Sequence, residues 1–254
     1  MNRDIAALLE SYPRLRRPLP PKLQEVYEDT YLTSRDGKTV LYSITQALEG
    51  WMHRRVATGA RADQQVLEIG AGTLNHLPWE PAGQIYDVVE PFTALYRGRK
   101  ETRAVRTFYV DVADIPPHLR YQRILSVATL EHILDLPRLV AKAALHLAPG
   151  GTFLAGIPSE GALLWGASWR LSVGLSFRIR TGLNYRDLMR HEHVSQAREI
   201  IAVVQYVFGQ CRLRRFPTPW HHLSLYAALQ CSDPHRERCR ELLEGSQPVA
   251  ELVG

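Results

Sequence analysis

The stretch Val66-Leu67-Glu68-Ile69-Gly70-Ala71-Gly72-Thr73 decides the fold, because an apolar run of strand length passes directly into a glycine turn. Glycine is needed where the backbone turns sharply or approaches a ligand closely, and in parallel sheets such turns lie at the carboxyl edge. Outward from it, short apolar runs at 65–69, 85–90, 107–111 and 123–127 follow in quick succession, as buried parallel strands do. Pro137 in a first turn, apolar positions Leu139, Val140, Ala143, Ala144 and Leu147, and the stop Pro149-Gly150-Gly151 mark a helix at both ends. A fifth strand fits 152–157. Ser195 is the expected N-cap of a helix running to Val207, and two further strands fit 211–216 and 223–229. The pattern predicts an α/β fold with a seven-stranded, mostly parallel sheet that ends in an antiparallel hairpin.

Before this core, Pro18, Pro20 and Pro21 separate a short amphipathic piece from a region where Ile44, Leu48, Trp51, Met52 and Val56 recur at helical spacing. Residues 1–64 therefore read as an N-terminal helical cap. The alternation breaks at 158–194, a stretch rich in Trp, Arg, Tyr and Gly. Inserts of that length are functional lids or disordered, and the aromatic content favours an ordered lid. The core is expected over 65–231 with this insert inside it, and 232–254 as a charged tail. At ~150 residues per domain, 254 residues suit one α/β domain with additions.

Hydrophobic residues at 45% and charged residues at 22% exclude fibrous and wholly disordered classes. The net charge of +5 favours an anionic partner only weakly, and without an RNA-binding appendage or aromatic-basic repeat nucleic acid is not the expected one. The N-terminus carries acids and prolines where a secretory peptide needs an uninterrupted apolar core. The most apolar stretch, 145–167, is cut by Pro149, Gly150, Gly151 and Pro158, so no transmembrane segment is expected. Cys211, Cys231 and Cys239 are odd in number and lack Cys-x-x-Cys spacing, which argues against a disulfide framework and a cysteine zinc site. A cytoplasmic location is expected.

Three strand ends carry chemistry. Gly70-Ala71-Gly72 closes the first, Glu90 the second, where a carboxylate can accept both hydroxyls of a ribose, and Asp111 the third. A dinucleotide fingerprint would place its third glycine where Asn75 stands, which weakens a pyrophosphate reading. Glu68 suits a ligand with an ammonium group, since a carboxylate repels an anion. A ribose together with an amino-acid ammonium points to S-adenosyl-L-methionine as cofactor.

These residues resemble class I S-adenosylmethionine-dependent methyltransferases, with Glu68-Ile69-Gly70-Ala71-Gly72 as first motif, Glu90 as ribose acid and Asp111 as adenine-side acid. Leu130-Glu131-His132-Ile133 and Leu147-Ala148-Pro149-Gly150-Gly151-Thr152-Phe153 are similar to the small-molecule branch, which includes ubiquinone-pathway O-methyltransferases. The resemblance spans 65–229 and implies a Rossmann-like sheet, with Val112 and Ala128 also beside the cofactor. It further implies that the segment 27–31 folds over the cofactor, with Tyr31 and Arg35 as contacts to its carboxylate. Leu74 stands where the family often has glycine. A looser similarity, through 156–161 and Arg190-His191-Glu192-His193, is to methyltransferases encoded with surface-polysaccharide genes.

Methyl transfer to a hydroxyl needs alignment, water exclusion and a base. His132, after the fourth strand, is one candidate, although a histidine at such a turn can also serve as a cap. His191 and His193 share a face if extended and diverge if helical. No further ligand stands at recognisable spacing, so no metal is expected. Glu131 reads as structural or cofactor-facing. Tyr185, Arg186 and Arg190 would bind a carboxylate or phosphate, which a solvated basic face explains nearly as well. Trp165 and Trp169 would exclude water near the sulfonium, or form lid core. The expected activity is methyl transfer to a hydroxyl of a small-molecule or sugar-containing acceptor, anionic if the arginines face it. Alternatives are RNA or protein methylation, nicotinamide-dependent oxidation, and non-catalytic cofactor binding.

Overall fold

The computed structural model describes residues 3–26 and 40–244. Its sheet has seven strands: β1 (Gln65–Ile69), β2 (Ile85–Val89), β3 (Val105–Tyr109), β4 (Tyr121–Val127), β5 (Leu147–Pro158), β6 (Phe208–Pro217) and β7 (Ser224–Pro234). They lie in the order β3-β2-β1-β4-β5-β7-β6. The first five pair in parallel and β7 runs antiparallel to both β5 and β6, so the expected sheet with its terminal hairpin is the observed one. The order reverses between β1 and β4, which opens a crevice at their carboxyl ends.

Successive side chains of β1 point to opposite faces. Leu67 and Ile69 join the larger core with Ile124, Phe153 and Ile157, covered by α3 (Leu136–Leu145) and α7 (Ala197–Val207). Val66 joins the smaller core on the other face with Val88, Leu125 and Leu154, where Val56 of α2 (Val40–Val56) packs. That helix is the one the 44–56 periodicity predicts. It lies so close to β5 that a Cβ on Gly156 would stand 2.9 Å from Met52 Cβ.

Several boundaries differ from expectation. The cap of α7 is Gln196, whose side chain and Glu199 close a reciprocal capping box. Ser195 instead shares a 2.7 Å hydrogen bond with the Tyr12 hydroxyl. Residues expected as a tail continue β7 to Pro234 and then form α8 (Arg236–Glu244), which packs on α3 and buries Cys239 completely. Cys211 and Cys231 are joined by a disulfide, contrary to the reading from count and spacing. The antiparallel register sets them directly opposite each other on β6 and β7, a pairing that linear spacing does not encode.

The insert 158–194 is ordered and helical: α4 (Leu163–Trp169), a π-helical turn (Arg170–Gly174) and α5 (Leu175–Thr181) run on continuously, followed by α6 (Tyr185–Glu192). Its Phe177 packs with Leu19 and Leu23 of the N-terminal segment. That segment, after α1 (Arg3–Glu10), straps the fold together: Arg14 grips both Glu199 oxygens at 2.7 and 2.9 Å, and Arg16 donates to the backbone carbonyls of His132, His191 and Glu192. Among the described residues no helix is long and apolar enough to cross a membrane.

Below the sheet edge lies a buried chain of polar groups invisible in the sequence pattern. His53 Nδ1 and His76 Nδ1 are 2.9 Å apart, His76 Nε2 is 3.2 Å from Glu80, and Glu80 pairs with Arg123 at 3.0 Å. A carboxylate only accepts, so His76 carries its proton on Nε2 and His53 donates from Nδ1. Burial and the neighbouring His76 lower the His53 pKa to about 4. The unfolded chain thus takes up a proton that the folded one refuses as pH falls from about 6.5 to about 4, and stability falls over that window. His53→Phe keeps a flat ring against Trp79 but orphans His76 Nδ1. Its melting temperature is expected below wild type at pH 7, with a shallower fall between pH 7 and 5, read by thermal denaturation.

Candidate functional site

The glycine turn after β1 is built from residues in the left-handed backbone region: Gly70 at φ 72°, Gly72 at 52° and, unusually, Leu74 at 61°. Leu74 therefore adopts the conformation that glycine favours, at a cost of roughly 1–2 kcal/mol that its complete burial offsets. At Gly70 an added Cβ would sit 2.1 Å from Thr129 Cγ2. Thr129 Oγ1 also donates to the Gly70 carbonyl at 3.0 Å, which locks the turn to the loop after β4.

Glu90, just past β2, is buried and bridges two loops: it accepts from the Gly72 N–H at 2.7 Å and from the Phe92 N–H at 3.0 Å. Each carboxylate oxygen keeps a further lone pair, so a ribose diol can still be accepted. The left-handed turn, the close Thr129 contact and this carboxylate fit an adenosyl ligand in the crevice. Glu68 lies deeper: it is buried, takes a hydrogen bond from the Tyr86 hydroxyl at 2.9 Å, and burial raises its pKa. Asp111 sits two residues past β3 and caps the turn 112–114, accepting from Ala113 N at 2.7 Å and facing Lys142 at 3.3 Å. Val112 is core, while Ala71 is buried in the smaller core beside the turn. Tyr31 and Arg35 lie outside the described residues.

A cavity of about 410 Å³ opens beside Ala128, itself at φ 50°. Its walls carry Glu131, His132 and His193 together with the lid residues Trp165, Trp169, Tyr185 and Met189. Both histidines are held by Nδ1. That of His132 lies 3.0 Å from the Glu192 carbonyl oxygen and that of His193 lies 2.6 Å from Glu160 Oε1. Those oxygens only accept, so each Nδ1 carries its proton and each Nε2 of a neutral ring keeps its lone pair. The rings meet edge to face at 4.6 Å between centroids. The carboxylates of Glu192 and Glu131 outweigh desolvation and raise the His132 pKa above its usual value. His191 takes another direction, 2.6 Å from the Arg17 carbonyl oxygen, and does not line this cavity.

A second cavity, of about 330 Å³, adjoins on the far side of His193 and is lined by Arg170, Arg186, Arg190, Glu160 and Trp169. Of the two alternatives for His191-Glu192-His193, the helical one describes the outcome: His191 lies in α6, which ends at Glu192, and the two rings go to different partners. The structure thus assembles His132, His193, Trp165, Trp169 and Tyr185, sets Arg186 and Arg190 next door, and leaves His191 outside.

Sequence reasoning missed Glu160, which orients His193, and undervalued Glu131. Glu131 is buried, burial raises its pKa, and its Oε2 has no hydrogen-bond partner among the described residues. Ligand atoms of Glu131, His132 and His193 lie within 4.8 Å of one another, a grouping of three groups able to bind a cation that linear spacing hid. Glu49 on α2 also lines the cavity, with a pKa raised by burial. None of these carries a local signal, since each partner is supplied by a distant segment.

A family model described as a methyltransferase domain matches residues 43–199. No curated protein matches the sequence. Among solved structures, the N-methyltransferase NodS from Bradyrhizobium japonicum in complex with S-adenosyl-L-homocysteine superposes with a TM-score of 0.51 at 13% identity, covering 84% of this chain and 100% of that one. A possible histamine N-methyltransferase from Thermotoga maritima gives 0.53 at 13% identity, over 82% and 98%. An O-methyltransferase family protein from Burkholderia thailandensis gives 0.54 at 13%, over 91% and 68%.

Gly70→Ala is expected to destabilise the turn and abolish binding of S-adenosylhomocysteine, measured by calorimetry. Glu90→Ala removes hydrogen bonds to a charged group, each about 1.5–3 kcal/mol, and should weaken that binding at least tenfold. Undiminished affinity in the Glu90 variant would take this residue out of the site.

Proposed function

The chain belongs to the methyltransferase domain family and is an S-adenosylmethionine-dependent class I methyltransferase; from that premise we propose that it methylates a hydroxyl group, with the His132 and His193 pair above the cofactor crevice taking the proton. The observation that carries this reading is the fixed tautomer of both rings, with Nδ1 committed to Glu192 and Glu160 and Nε2 left for the cavity beside Ala128. When bound, S-adenosylmethionine supplies a methyl group on a cationic sulfur.

In this reading Gly70, Gly72 and Glu90 hold the cofactor. Trp165, Trp169 and Tyr185 exclude water and align the acceptor, which is the larger part of what such a displacement needs. His193 accepts the hydroxyl proton at Nε2. Glu160 fixes the ring and stabilises the imidazolium formed, as a carboxylate does in any oriented histidine base. Arg186 and Arg190 receive an anionic group of a small-molecule or sugar-containing acceptor in the adjoining cavity, Arg through its two-pronged geometry. N-methylation is the nearest competitor: an amine acceptor also gives up a proton in the course of the transfer, so the chemical nature of the methylated product decides between the two.

Tritium-labelled S-adenosylmethionine, offered with hydroxylated aromatics, nucleotide sugars and lipid-linked sugars, is expected to yield an alkali-stable methyl ether. A methylamine product would replace this reading. With that acceptor in hand, His193→Ala and Glu160→Gln should each lower kcat roughly 10²- to 10⁴-fold, the usual contribution of a positioned base, while affinity for S-adenosylhomocysteine holds.

One observation favours a second reading of the same cavity. An ionised Glu131 with a buried, unpartnered oxygen is costly, and a divalent cation shared with His132 and His193 would remove that cost. It would bind the acceptor oxygen and lower its pKa, making the base less important. Calorimetric titration of chelator-treated protein with Mn²⁺ or Zn²⁺ decides: uptake of one ion, lost in Glu131→Gln, supports the cation, and no uptake leaves the histidine base.

A further inference from the structure

Two rows of apolar residues along the lid follow the same four-residue rhythm. Trp165, Trp169, Val173 and Phe177 face inward, the first three onto the acceptor cavity and Phe177 onto Leu19 and Leu23. Two residues out of phase stand Leu163, Ala167, Leu171, Leu175 and Ile179; Leu163 also borders the second cavity and Leu175 a groove beside Trp169 and Tyr185, while Leu171 and Ile179 line no cavity. This second row is exposed: Leu163 by 71%, Leu171 by 76%, Leu175 by 50% and Ile179 by 76%. In a straight α-helix each four-residue step rotates by about 40°, so such a row would wind around the axis. The wider π turn at Arg170–Gly174 turns less per residue and offsets part of that drift midway. The turn at 221–223, which packs on α4, adds the exposed Trp220 and Leu223.

A contiguous apolar row of this kind marks a contact surface. Its charge setting says which. Between Glu160 and Asp187 the chain carries four arginines and no acidic residue; Arg170 and Arg186 belong to the second cavity, which leaves Arg178 and Arg180 beside the row. Arg178 and Arg180 are exposed next to Ile179 in the chain; Arg180 lines no cavity, and Arg178 borders the groove beside Leu175 and Tyr185. Apolar side chains in one line, flanked by arginines and with tryptophan beside them, match a helix that lies in the interface plane of an anionic bilayer. We infer that the exposed apolar row of the lid, with Arg178 and Arg180 beside it, docks on an anionic lipid surface. The inference stands on the surface alone and does not depend on which atom is methylated.

Co-sedimentation of the full chain with phosphatidylcholine vesicles, with and without phosphatidylglycerol, tests it. Binding is expected to the phosphatidylglycerol vesicles and to fall with added salt. The double variant Leu171→Glu with Ile179→Glu, neither residue lining a cavity, should lower the vesicle partition coefficient roughly tenfold or more while S-adenosylhomocysteine still binds. Arg178→Gln and Arg180→Gln should each reduce it about fivefold, a second handle should the carboxylates unfold the lid. Absence of vesicle binding by the folded wild type, or undiminished binding in both sets of variants, would overturn the inference. So would a dimer seen by light scattering that the Leu171 and Ile179 changes turn into a monomer, since a second copy would then own the row.

Discussion

Two backbone hydrogen bonds hold the site together: the N–H groups of Val194 and Ser195 both donate to the Glu131 carbonyl, at 2.8 and 3.2 Å. They fasten the exit of the lid to the loop after β4, and with it bring His193 to His132 across a long chain separation. A buried carbonyl must be partnered, so the contact resists slippage. Everything around it reinforces the same junction. The strap through Arg14 and Arg16 ties the N-terminal segment to Glu199 and to the carbonyls of His132, His191 and Glu192. Phe177 then anchors the lid to Leu19 and Leu23. The lid is thereby a fixed wall of the acceptor cavity.

The cofactor crevice and the acceptor cavity meet at the loop 128–132, and the two halves follow different rules. On the cofactor side backbone geometry dominates, with left-handed residues, a glycine against Thr129 and a carboxylate that clamps N–H groups. These are features of the chain path and suit a ligand that is always the same. On the acceptor side, side chains from the loop after β4, the lid, α2 and β7 converge. Each can change without disturbing the sheet, which is how one fold serves many acceptors.

The electrostatics follow the same division. Glu68 and Glu131 are both buried carboxyls whose pKa rises through desolvation, but Glu68 is satisfied by Tyr86 whereas one oxygen of Glu131 has no partner among the described residues. A satisfied group stabilises the sheet. An unsatisfied one beside two imidazoles holds free energy that a proton or a cation can release, and that asymmetry separates scaffold from site.

Much of this was legible in order along the chain. Val66 to Thr73, the spacing to Glu90 and the Pro149-Gly150-Gly151 stop determined a parallel sheet with its crevice after β1, because strand burial and turn chemistry are local properties. Trp165, Trp169 and His132, expected at the site from the chain alone, line the cavity beside Ala128. What only the tertiary structure decided were contacts between distant segments: Cys211 beside Cys231, Glu160 on His193, Glu131 grouped with His132 and His193, His191 turned away, and 236–244 packed as a helix. No local propensity encodes these. They arise from register, from where α6 ends and from what the buried faces of two separate segments have in common, and such facts exist only once the chain has closed on itself.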